Sequence, residues 1–291
     1  MEKKQKVKEI KASDITRTIA QLFEEACYYL PKDVFIAIEK AKAEEESTIA
    51  RNVLDKILQN AEIAAEGEIP LCQDTGVAVV FLELGQEVHI TGGGLYAAIN
   101  EGVRLGYDRG YLNNLIVCRP TSDRIKAKYN TPAMIHTEIV PGDKLKIIAL
   151  PKGGGSENMS RLTVLSPAQG RQGIIDYVVN LVSDSGANFC PPIIVGVGIG
   201  GTTEVTMMLA KKALLRKVGE PSPNTEFVEE VSELEKEILE RINNLGIGAM
   251  GYGGKITALA IHIETYPCEA GSLPVAVNFQ CHSARRKEAI L

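Results

Sequence analysis

The sequence lacks an excess of positive charge: 32 Lys and Arg stand against 37 Asp and Glu, for a net charge of -5. Gripping a phosphate backbone needs the opposite balance, because neutralised phosphates and released counterions supply most of that binding. Nucleic acid is therefore not an expected partner. No long hydrophobic run is present either. The longest apolar stretch, residues 191–201, is too short to span a bilayer and is broken by glycine. The basic start MEKKQKVKEIKAS leads into no apolar segment and no small-residue cleavage site, so it does not have the form of a secretory signal. A cytoplasmic location, with no membrane partner, is the expectation.

Cysteine is sparse. Six residues (Cys27, Cys72, Cys118, Cys190, Cys268 and Cys281) over 291 positions do not form the dense framework of a small disulfide-stapled domain. In a reducing compartment they are free thiols, catalytic groups or metal ligands. Histidine is also scarce, and His89, His136, His262 and His282 show no H-x-x-x-H spacing, which leaves a helical zinc site without support. The G-x-S-x-G elbow of a Ser-His-Asp hydrolase is missing too. There is no internal repeat and no low-complexity tract.

What remains is a chain with 45% hydrophobic residues, enough to bury one large or two small cores. Ile15, Ile19, Leu22, Phe23, Ala26 and Leu30 recur at helical spacing after a candidate cap at Ser13, and Pro31 ends the run. A second helix begins near Asp33, and a third carries Ile49, Val53, Ile57 and Ala61 on one face. From Ile69 onward the pattern turns to short β-rich runs: 77–84, 133–140, 144–150 and 192–199. Helical stretches follow at 203–216 and 227–245, the latter with a stripe of Val231, Leu234, Ile238, Ile242 and Leu245 that stops at a capping Gly246. The expected fold is α/β, with mixed helices and strands. A single domain is expected over 1–291, helical over 1–66 and a mixed sheet flanked by helices over 67–291. GEPSPNTEF (219–227) reads as a surface loop within it.

Three stretches carry candidate chemistry. In IPLCQDTG, thiol, amide, carboxylate and hydroxyl stand on successive residues Cys72, Gln73, Asp74 and Thr75, before a Gly76 that lets the chain turn. Asp-Thr-Gly alone would make a plain turn; a cysteine and glutamine before it point to a ligand with polar support. PKGGGSENMS (151–160) offers consecutive glycine amides as an anion cradle or, equally, a hinge. CPPIIVGVGIGGTTE (190–204) places Cys190 before a buried strand and a helix start at Thr202 or Thr203. Its Gly196, Gly198 and Gly201 satisfy G-x-G-x-x-G, but the acidic strand end that a dinucleotide site needs about twenty residues on is replaced by GEPSPN. Cys281 closes a buried-strand pattern in SLPVAVNFQCHSARR, with Cys268 thirteen residues earlier as a competing ligand. Cys27 and Cys118 read as core.

These blocks, together with LAKKALLR and LGIG followed by GYGGK, occur in the order and spacing of the α subunit of class I fumarases and L-tartrate dehydratases, which the chain resembles along nearly its whole length. The resemblance implies a 4Fe-4S cluster held by Cys72, Cys190 and Cys281. Three ligands leave one iron open, where electron-transfer clusters take four, and an open iron is a Lewis acid for the hydroxyl and carboxylate of a small 2-hydroxy acid. It further implies that Asp74 and Gln73 act on the substrate beside the cluster and that the backbone at Gly155 supports a carboxylate. A β subunit is expected to complete the active site, in a dimer of αβ pairs, and the chain is expected to be inactive without it.

Two positions depart from the family pattern. Asn113 stands where an arginine is usual and Glu269 where a histidine is usual, and an amide cannot replace the bidentate grip of a guanidinium on a carboxylate. The resemblance implies fumarate and malate, which dominate the family, or a tartrate-like acid as substrate, and these two departures point to a related hydroxy acid in place of fumarate or malate. Two other readings stay open: a non-catalytic paralogue that keeps the fold, and a nucleotide-binding oxidoreductase.

Overall fold

In the computed structural model, residues 7–223 and 227–291 are described. In chain order the elements are β1 (Lys8–Lys11), α1 (Ala12–Tyr28), α2 (Lys32–Glu44), α3 (Thr48–Gly67), β2 (Val77–Gly85), β3 (Val88–Thr91) and α4 (Leu95–Arg109). Then come β4 (Met134–Val140), β5 (Leu145–Lys152), α5 (Gly154–Asn158), β6 (Arg161–Leu165), α6 (Gly170–Ser185), β7 (Ile193–Gly200) and α7 (Thr203–Ala213). The chain closes with α8 (Val228–Asn243), β8 (Ala258–Tyr266), β9 (Leu273–Gln280) and β10 (Lys287–Ile290). The fold is α/β. It divides into two compact units: one comprises the segment ending at Pro31 with Ala61–Gly153 and Arg285–Leu291, the other Lys32–Asn60 with Gly154–Ala284. The change of periodicity at 66/67 marks a boundary of secondary structure, and α3 runs from one unit into the other.

The first unit is built on the sheet β10-β5-β2-β4, in which β2 pairs parallel with β4 and antiparallel with β5. β2 and β5 are apolar along nearly their whole length, as strands covered on both faces must be. Ile15, Ile19, Leu22 and Phe23 of α1 and Ile99, Val103 and Tyr107 of α4 join Val80, Leu82, Ile147 and Ala149 in one core. The helix begins one residue before the expected cap: Ser13 lies inside the first turn, and the N-cap is Lys11, which makes no side-chain cap bond. β1, unforeseen in the polar KEIK, pairs with β3.

The second unit is built on the sheet β6-β9-β7-β8. Along β7, side chains alternate between faces. Ile193, Val195 and Val197, with Val275, Val277 and Phe279 of β9, pack with Ile175, Val178 and Val182 of α6 and Val231, Leu234, Ile238 and Ile242 of α8. On the other face stand Gly196 and Gly198, where a Cβ would lie 2.1 Å from the carbonyl oxygens of Ala210 and Thr206 in α7. The glycines of the apparent dinucleotide fingerprint are thus accounted for by a helix seated directly on the strand. We expect Gly198→Ala to lower the unfolding free energy by about 3 kcal/mol, since the overpacked atom is backbone and cannot rotate away; urea denaturation of the full chain measures it.

α3 buries part of the expected face, Ile57 and Ala61, but turns its start so that Ile49 is outside. Ala50, Leu54, Ile57, Leu58, Ala61 and Ala64 are buried, while Ile49 is 61% exposed. Of the loop 219–227, residues 224–226 lie outside the described residues, as do residues 1–6 of the basic start. No described helix is long and apolar enough to cross a membrane.

Candidate functional site

In the first unit the segment Cys72–Gly76 joins α3 to β2, and its backbone is held by side chains. Left without a strand partner, each carbonyl needs another donor, and all four from Gln73 to Gly76 find one. The Asn113 amide donates to Gln73 O at 2.5 Å, and Arg285 Nη1 donates to Asp74 O. The Tyr107 hydroxyl reaches Thr75 O and Gly76 O at 3.3 and 2.8 Å, and Asn130 Nδ2 donates to Gly76 O at 3.0 Å. The Cys27 thiol approaches Thr75 O at 3.8 Å. Thr75, itself buried, exchanges hydrogen bonds through Oγ1 with the backbone of Asn113. Gly76 has φ +81° and no room for a side chain, a Cβ falling 2.7 Å from Lys152 N.

On this braced backbone, Cys72 and Asp74 are half-buried and Gln73 is exposed. The Cys72 thiol lies 3.3 Å from Gln73 Oε1, and Asp74 Oδ1 accepts the Gly76 N–H at 3.0 Å. Beneath them Cys27 is a core thiol, as expected, and burial pushes its pKa up to about 11 against the opposing charge of Arg285. Burial likewise raises the Tyr107 phenol, which stays a neutral donor.

The second unit brings Cys190 and Cys281 to one end of its sheet. β7 starts just after Cys190, β9 ends just before Cys281, and the two strands are antiparallel neighbours with Ile194 opposite Gln280. Cys190 adopts φ +55°, uncommon for a residue with a side chain and characteristic of functional turns. Its carbonyl accepts His282 N at 3.3 Å and faces His282 Nδ1 at 3.1 Å, which fixes the residue after Cys281 to Cys190. Gly155 belongs to the same unit, with Asn188 O 3.5 Å from where its Cβ would stand. Of the triple glycine, Gly154 and Gly155 form the start of the short α5, and Gly153 precedes it. Glu157 anchors this turn, bonding Lys211 Nζ at 2.6 Å and Asn278 Nδ2 at 3.0 Å.

The two expected substrate contacts Asn113 and Glu269 each have a hydrogen-bond partner within the chain. The Asn113 amide is committed to the loop backbone. Glu269 lies in the exposed turn before β9, where Oε2 accepts Gly271 N at 2.7 Å. Within one chain it is separated from Cys281 by the eight residues of β9, on the order of 25 Å of strand. Cys118, read from sequence as core, is exposed, as is Cys268.

A 4Fe-4S cluster asks for three accessible thiols, each for a separate iron, that are not tied up in disulfides. None of the six cysteines is in a disulfide, and the half-buried ones are Cys72, Cys190 and Cys281, against one buried and two exposed. By exposure and redox state, each of those three is available as a cluster ligand. Among the described residues no three His, Cys, Asp or Glu side chains are grouped for a single metal ion.

Sequence reasoning missed Tyr107, Asn130 and Arg285. The only local signal was the arginine pair that follows Cys281.

The model of the fumarate hydratase (Fumerase) family matches residues 16–290. A Methanocaldococcus jannaschii protein, provisionally named the alpha subunit of an L(+)-tartrate dehydratase, is 44% identical over 95% of this chain and 96% of its own. The L(+)-tartrate dehydratase subunit alpha of Escherichia coli K12 is 30% identical over 88% of this chain and 84% of its own, as is that of Shigella sonnei. With a family match over nearly its whole length and relatives at this identity, the chain belongs to the fumarate hydratase (Fumerase) family.

Proposed function

We propose that the protein is the α subunit of a 4Fe-4S-dependent hydro-lyase that removes water from a small hydroxy dicarboxylic acid, or adds it to the corresponding unsaturated acid. Cys72, Cys190 and Cys281 would hold the cluster, and a β subunit would complete the site. The observation that carries this reading is the Cys72–Gly76 segment, whose carbonyls at Gln73, Asp74 and Gly76 are held by the side chains of Asn113, Arg285, Tyr107 and Asn130. Catalytic groups must be held within a fraction of an ångström of productive geometry, and a surface turn without such a role has no need of four separate braces. The bound cluster supplies a Lewis-acidic iron with an open position.

The chain's own residues do the rest. The Gly76 N–H on Oδ1 orients the Asp74 carboxylate to exchange a proton with the substrate. Gln73, exposed beside it, donates to a substrate oxygen, and the backbone at Gly155 supports a carboxylate. With Asn113 uncharged and committed to Gln73 O, the guanidinium clamp expected for fumarate is missing at that place, and the names of the relatives favour a tartrate-like acid. Those names, as alpha subunits, also support the β partner.

Anaerobic co-expression with a β subunit of the same family tests the proposal. We expect a brown complex absorbing at about 400 nm and bleached by air, with L(+)-tartrate turned over at least about tenfold more efficiently than malate. The single chain should show no turnover. A colourless complex after iron and sulfide reconstitution, or full activity of the lone chain, would refute the respective half of the proposal.

A further inference from the structure

Arg285 is 3% exposed, and a buried guanidinium is costly unless its donors are used. Here they converge on the catalytic segment. Nη1 donates to Asp74 O, while Nη2 lies 3.2 Å and Asp74 Oδ2 3.3 Å from a common point beside Gly153. The charge of the same side chain opposes the rise that burial imposes on the Cys27 thiol, whose own contact is Thr75 O and whose carbonyl accepts Leu71 N at 2.9 Å. A core thiol on α1, a buried cation and the backbone on either side of Cys72 thus form one connected group. A guanidinium spreads five donors over a rigid planar fork, whereas an ammonium holds three on one atom at the end of a flexible stem.

We propose that Arg285 is a positioning residue of the active site, locking Cys72–Asp74 onto the Cys27 thiol so that the segment keeps its shape whether or not a cluster is bound. This rests on the proposed hydro-lyase reading for its catalytic consequence and on the geometry above for its structural one, and the two are separable by experiment. In the full-length, cluster-free chain under anaerobic, non-denaturing conditions, iodoacetamide labelling followed by mass spectrometry reads the accessibility of each cysteine. In Arg285→Ala we expect Cys27 to be alkylated at least about tenfold faster through local opening, with Cys118 and Cys268 unchanged. Millimolar guanidinium, but not sodium at equal ionic strength, should restore the protection.

In the reconstituted complex the same variant should lose about 10- to 100-fold in kcat with KM within about threefold, the signature of misplaced groups rather than lost binding, and guanidinium should recover part of it. Arg285→Lys, the second variant in case alanine unfolds the chain, should show the same labelling with little recovery of kcat. Unchanged Cys27 labelling in a folded Arg285→Ala or Arg285→Lys chain overturns the proposal. A wild-type complex without hydro-lyase turnover overturns the functional reading instead, while the labelling still decides the role of Arg285.

Discussion

Replacing Cys72, Cys190 or Cys281 singly by serine is expected to abolish both the absorbance at about 400 nm and turnover, the latter by at least about a thousandfold, because a Lewis-acid site that loses its metal loses the whole of that contribution to the barrier. Serine preserves size and polarity but is not a thiolate, so local structure survives and the metal does not. The built-in controls are Cys118→Ser and Cys268→Ser. Both residues are exposed and should leave iron content and activity unchanged. Full iron content in any one of the three variants would remove that residue from the ligand set, and loss in Cys268→Ser would make it the third ligand in place of Cys281. The backbone supports the assignment: Cys190 and Cys281 are delivered by the facing ends of two antiparallel strands and joined through His282, whereas Cys268 precedes the far end of β9.

The strands that read clearly in the sequence are those whose residues leave no alternative. VAVVFLEL and PIIVGVGI are β-rich runs bounded by glycine or proline, and both form where expected, as do the helices α7 and α8. β1 did not read, because KEIK has little apolar character and becomes a strand only through its pairing with β3 some eighty residues on. The division into two units was equally invisible. It depends on the chain leaving the first unit at Pro31 and returning twice, the last time to lay β10 beside β5, and no local period encodes such a return.

The same distinction runs through the site. Cys72, Gln73 and Asp74 could be read as chemistry because they are contiguous. Their supports could not, since Tyr107, Asn113, Asn130 and Arg285 reach the segment from 31 to 211 residues away and look individually like a core tyrosine, two loop amides and a tail arginine. Asn113 shows what a position read by comparison leaves out: its amide also braces the backbone of Gln73.

Asp74→Asn separates the chemical from the structural role of that carboxylate. Asparagine keeps an oxygen in the place of Oδ1, so the Gly76 N–H retains its acceptor and the turn its shape; what disappears is the capacity to take up a proton. If Asp74 exchanges a proton with the substrate, kcat should fall by about 10²- to 10⁴-fold, with the cluster absorbance intact and KM within about threefold. Were Asp74 only a turn former, the asparagine variant would work nearly as well as the parent and only Asp74→Ala would suffer, through a loosened segment and a lower unfolding midpoint. The alanine variant loses activity under both accounts, so the asparagine variant decides between them. Measured together on the reconstituted complex, kcat and thermal midpoint distinguish a catalytic carboxylate from an Asx turn that happens to follow a metal ligand.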